Sequence, residues 1–212
     1  KVGDSMKEII GTGGFKDYSL GFSREGILSG AVDPTQAQKG SWSLEVLKMP
    51  KNAGRMTNGF PDRDRTQVGV GYLNFEYPEG EQEVYINDSN NTLNGVVKAV
   101  NDADIGIQAN VITDSDDGDY PHKIIFSSKA YGDDNDVNFP TVYLLDGDHD
   151  FYFDKERKAE NGAIKLNGFE VEINSKQLDD IVPGVNLNLL SAEPGREVTV
   201  TVNEDYDAIK GK

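Results

Sequence analysis

The sequence predicts a mainly β, β-rich α+β chain built as two antiparallel-sheet domains, one inserted in the other, with one short helix in the inserted domain. Three observations carry that expectation. Apolar residues recur in short runs of alternating polarity, the period of a strand with one buried face. Clusters of Gly, Asn, Asp and Pro, all turn formers, separate those runs. Within the interior, residues 91–112, NTLNGVVKAVNDADIGIQANVI, hold a helical period and then abandon it abruptly for a strand period.

Residues 17–49 read as strand, turn, strand: DYSLGFS, then GILSGAV, then GSWSLEVLKM after the polar DPTQAQKG. In the last of these Trp42, Leu44 and Val46 alternate with Ser43, Glu45 and Leu47, as one buried face requires. The segment KNAGRMTNGFPDRDRTQ is rich in Gly, Asn, Arg and Asp and reads as a loop where the chain crosses between domains. VGVGYLNFEYPEGEQEVYIND holds two alternating runs around PEGE, a β-hairpin. Leu93, Val96, Val97 and Val100 then fall at i, i+3, i+4 and i+7, one apolar stripe on a short helix with Thr92 or Asn91 as its N-cap.

Ile107, Ala109 and Val111 share one face of the next strand, and HKIIFSS continues the sheet after the turn-forming DSDDGDYP. Asn167-Gly168 divides Ile164 and Leu166 from Phe169, Val171 and Ile173, a type I′ hairpin signal because both turn residues need positive φ. GVNLNLLS and EVTVTVN, joined by AEPGR, are expected to form a second hairpin that pairs Val185, Leu187 and Leu189 with Val198, Val200 and Val202. After Asn203, EDYDAIKGK carries the acidic first turn of a further helix. Residues 1–60 and 159–212 would make the discontinuous inner β domain, and 61–158 the inserted outer one.

Hydrophobic residues at 36% and charged residues at 27%, arranged in periodic runs, indicate a folded chain with much loop rather than disorder. The formal net charge of -16 opposes binding to phosphate backbones and to anionic membranes, so neither nucleic acid nor membrane is an expected partner. With no cysteine, disulfides, thiolate nucleophiles and zinc-thiolate sites are excluded. The N-terminal KVGDSMKEII lacks the apolar core of a signal peptide, and Lys1 is not a start methionine, so the chain reads as part of a longer protein.

The acidic runs DSDDGDY, YGDDNDVN and LDGDHDFYFD invite a calcium reading, but none has the ligand spacing of an EF-hand loop, and solvated turns explain them. His122 and His149 have no nucleophile elbow, zinc-helix motif or phosphate loop beside them and read as surface residues. The spaced glycines of VGVGYLNF do not open a helix and are no nucleotide fingerprint. The expectation is therefore no catalytic, cofactor-binding or metal-binding residue, and no cofactor.

TLNGVVKAVNDADIGIQANVI followed by KIIFSSKAYGDDNDV resembles the IN motif of flagellins and hook proteins. That motif is a leucine-led helix ending in an apolar-Asn pair, here Val100-Asn101, then a Gly-Ile-Gln-Ala strand and an apolar strand closing on Ser-Ser. AIKLNGFEVEINSKQLDDIVPGVNLNLLSAEPGREVTVTVNEDYDAIKGK is similar to the outer region of the flagellar hook-associated protein 2 family, the filament cap proteins. GSWSLEVLKMPKNAGRMTN resembles a strand and exit of the same family. The likeness is strongest over residues 91–212 and loose over 54–85.

The resemblance implies a non-enzymatic cap at the tip of a bacterial flagellum, extracellular and exported without a cleaved signal peptide. It implies a ring-forming homo-oligomer in the full-length protein that promotes flagellin folding and polymerisation. Its partners would be further copies of itself, flagellin and hook-filament junction proteins. Two readings from other classes stand beside it: a cell-surface adhesin for host glycan or protein, and a carbohydrate-active enzyme, which would need a cleft with two facing carboxylates.

Overall fold

The structure, a computed structural model, describes residues 18–77, 80–135 and 137–204. The helix expected from EDYDAIKGK falls on 205–212, outside the described residues, apart from Glu204, which still belongs to a strand.

In chain order the elements are β1 (Tyr18–Phe22), β2 (Leu28–Val32), β3 (Gly40–Lys48), β4 (Gly54–Thr57), β5 (Val70–Tyr77), β6 (Gly80–Ile86), α1 (Leu93–Asp102), β7 (Ile107–Thr113) and β8 (His122–Ser128). There follow β9 (Asn138–Leu145), β10 (Phe153–Arg157), β11 (Gly162–Leu166), β12 (Phe169–Ile173), β13 (Gln177–Val182), β14 (Val185–Leu189) and β15 (Val198–Glu204). Two compact units result, Lys1–Met49 with Gly162–Lys212, and Pro50–Asn161. The crossings lie at 49/50 and 161/162, against the 60/61 and 158/159 expected from sequence. The reason is β4: the segment read as a loop contains this strand, which pairs with β8 and β10 and so takes residues 50–60 into the second unit. Entry and exit of that unit are tied by reciprocal backbone bonds between Lys51 and Glu160, 2.8 and 3.1 Å.

The first unit packs the sheet β1-β15-β3-β11-β12 with the sheet β13-β14-β2 around one core. Leu44, Val46, Ile164, Val198, Val200 and Val202 meet Leu28, Leu178, Val182, Val185, Leu187 and Leu189 there. The strict alternation of VNLNL and VTVTV places every second side chain inside, where each buried aliphatic residue contributes roughly 1.5–3 kcal/mol. The Asn167-Gly168 turn has φ of 48° and 88°, as type I′ requires, and the Asn167 side chain also accepts from the Ser43 N–H at 2.9 Å.

The expected second hairpin does not form. β14 pairs with β13, through the tight turn between Val182 and Val185, and with β2, while β15 lies between β1 and β3. Alternation assigned both strands correctly to the core, but each finds its edges filled by other partners, so AEPGR carries the chain from one sheet to the other. The apolar residues of β12 also depart from the simple pattern. Phe169 is 77% and Val171 38% exposed because β12 is an edge strand, and only Ile173 is buried.

The second unit is built from the sheets β10-β4-β8-β7 and β6-β5-β9 with α1, around Phe60, Leu73, Phe75, Ile86, Leu93, Val96, Val100, Ile107, Ile124 and Phe126. Thr92 caps α1 by accepting from the Gly95 N–H at 3.2 Å, and Leu93, Val96 and Val100 form its buried stripe.

Candidate interaction surface

The switch of period at the end of α1 is built around Asn101. Its side-chain amide donates to the Ala109 carbonyl at 2.9 Å and its oxygen accepts from the Ala109 N–H at 2.8 Å. β7 is the edge of its sheet, so this amide occupies backbone groups that no neighbouring strand reaches. The helix is thereby fastened to the strand that follows it.

In two of the three acidic runs, carboxylates are held by partners within the chain. Asp114 and Asp117 hold the Lys123 ammonium at 3.0 and 2.7 Å, and Lys123 is only 6% exposed. Hydrogen bonds from Lys123 and from the Asp116 N–H keep the Asp114 carboxyl below the usual carboxylate range. The hydrogen bonds to Asp117 and Asp114 raise Lys123 above its ordinary value. Asp148 accepts from the Gln67 N–H at 2.9 Å. Among the described residues no group of three or more His, Asp or Glu is placed to hold a metal ion.

His122 and His149 have different surroundings: the first meets Thr113 Oγ1 through Nδ1 at 3.1 Å, the second stacks edgewise on Tyr120 with centroids 5.7 Å apart. A cleft of about 670 Å³ in the second unit is lined by Tyr77, Gln82, Asp104, Ile105, Ser128 and Val137 among others. The Tyr77 hydroxyl donates to the Ile105 carbonyl, and burial raises its pKa. Lys129 holds Asp104 ionised, so this carboxylate serves as an ion-pair partner.

The most distinctive surface was not expected from sequence. On the outer face of β6-β5-β9 the register sets Tyr85 opposite Tyr72 and Tyr72 opposite Tyr143, so three tyrosines cross the sheet in one row. They are 51%, 45% and 59% exposed, and the Tyr72 and Tyr85 rings lie 5.0 Å apart. Val70 and Leu145, the latter exposed, form the next cross-strand pair on one side of the row. On its other side stand Glu83, Glu81 and Glu76, with Asn74 donating to Glu81 at 3.0 Å. Asn74 Oδ1 is buried and has no hydrogen-bond partner among the described residues. The inner face of the same sheet carries Leu73, Phe75, Val84 and Ile86, all buried. The signal was present in YLNF, EVYI and TVYLL, where Tyr72, Tyr85 and Tyr143 fill outward positions, but single strands do not reveal that the three align.

The flagellar hook-associated protein 2 C-terminus family matches residues 159–212. B-type flagellar hook-associated protein 2 of Pseudomonas aeruginosa is 24% identical over 89% of this chain, which spans 43% of that relative's length. The crystal structure of the flagellar cap protein FliD from Bdellovibrio bacteriovorus is 45% identical, with a TM-score of 0.75 over 85% of this chain and 98% of that one. The D1-D2-D3 domains of the Escherichia coli flagellar cap protein FliD share the fold at 19% identity, TM-score 0.68, over 93% of this chain and 59% of that one.

Proposed function

Because this chain belongs to the flagellar hook-associated protein 2 family of flagellar cap proteins, we propose that it forms the outer part of a filament cap that helps exported flagellin fold and join the filament. The observation that carries this reading is the 45% identity to the Bdellovibrio cap protein across nearly all of that chain. The role is structural: the cap acts outside the cell at the filament tip and uses no catalytic residue, cofactor or metal. In the whole protein, copies associate as a ring that also meets the hook-filament junction, while the first unit forms the inner and the second the outer β domain of each copy. A two-sheet sandwich with one buried face per strand suits this work, since it is a rigid spacer whose surface is free to vary.

The test is deletion of residues 50–161 from the parent gene in its own bacterium, joining 49 to 162. Filaments should shorten or vanish, with unpolymerised flagellin released into the medium. Normal filaments and motility would overturn the reading for the second unit, and normal filaments after loss of the whole region would overturn it entirely.

A further inference from the structure

The geometry points to the tyrosine face of β6-β5-β9 as a docking surface for a lysine- or arginine-bearing segment of another protein. This inference stands on the sheet face alone and does not rest on the cap reading. Tyr85, Tyr72 and Tyr143 are exposed in one row, and an aromatic ring attracts a cation held over its face within about 6 Å. Beside them Glu81 and Glu83 offer carboxylates, which a guanidinium engages with two parallel hydrogen bonds. None of β5, β6 and β9 contains lysine or arginine, so the face supplies acceptors and π surface without a cation of its own. Val70 and Leu145 flank the row as an apolar shelf for the aliphatic stem of a long basic side chain or for its apolar neighbour.

Charge decides among possible occupants. Most of the net charge of -16 falls in the second unit, so a second copy would bring like charge against Glu81 and Glu83. A basic segment is attracted by the same field and steered toward the face.

A labelled short peptide alternating arginine with leucine, and its counterpart with glutamate for arginine, would be titrated against the chain by fluorescence anisotropy at low and high salt. The arginine peptide should bind and weaken with salt, and the glutamate peptide should not bind. Tyr72→Ser with Tyr143→Ser should weaken binding about fivefold or more. Glu81→Gln with Glu83→Gln leaves the aromatic row intact; it should weaken binding and flatten the salt dependence. Equal binding by the parent and both variants would show only general attraction to an acidic surface and would overturn the assignment. So would absence of binding, tyrosine-dependent self-association in sedimentation, or tyrosine-dependent binding of a neutral oligosaccharide with the arginine peptide unaffected.

Discussion

Asn101 stands where the helical period ends, and its side chain acts as one more rung of the β7 edge. Replacing it with alanine removes both bonds to Ala109 and leaves a backbone donor and acceptor of a buried position without partners. Asn101→Ala should cost about 1–3 kcal/mol in denaturant unfolding, and Asn101→Asp should not restore it, because the donor to the Ala109 carbonyl is still missing. The Lys123 cluster makes a second prediction, in pH. Asp114 is held below its usual range, so its contribution is complete above about pH 4 and is lost as pH falls further. Lys123 is held above its usual range, so its contribution is complete below about pH 10 and is lost as pH climbs beyond. Lys123→Met should therefore flatten both limbs of the melting temperature against pH. The acid limb should not vanish, since Asp33, lowered by Thr35, remains. Steeper limbs in the variant would contradict the assignment.

At the scale of elements, α1 shows how packing overrides propensity. Gly95 lies inside the helix, where alanine would ordinarily add about 1 kcal/mol of stability. Here a Cβ would meet the Asn90 carbonyl oxygen at 2.4 Å, so the approaching loop requires glycine. Gly95→Ala should lower the melting temperature, whereas a gain would mean that the loop at Asn90 yields freely. The strands teach the complementary lesson. The hairpin at Asn167-Gly168 was legible because the turn residues themselves dictate positive φ and leave no other register. The partners of β14 and β15 were not, because AEPGR imposes no such register and their edges are taken by strands distant in sequence. β4 was hidden for a different reason: GRMT is short, carries Arg55 and begins with glycine, so it has no alternation to detect.

For the whole molecule, charge is the property with the longest reach. Copies bearing -16 repel one another at moderate ionic strength, so light scattering should find this chain monomeric or weakly associated at micromolar concentration, tightening as salt is added. A stable ring in dilute solution at low salt would show that its own surfaces suffice to hold copies together. Sequence by itself determined the β-rich class, the helix at 93–100, the faces of the alternating strands and the Asn-Gly turn, all of which follow from steric preferences acting within a few residues. Only the tertiary structure decided where β4 lies, that β12 ends up at a sheet edge with Phe169 exposed, which strands border β14 and β15, and that Tyr72, Tyr85 and Tyr143 form one row. Alternation says which face a side chain takes, but neighbours across a sheet depend on which edges remain free once the distant parts of the chain have packed.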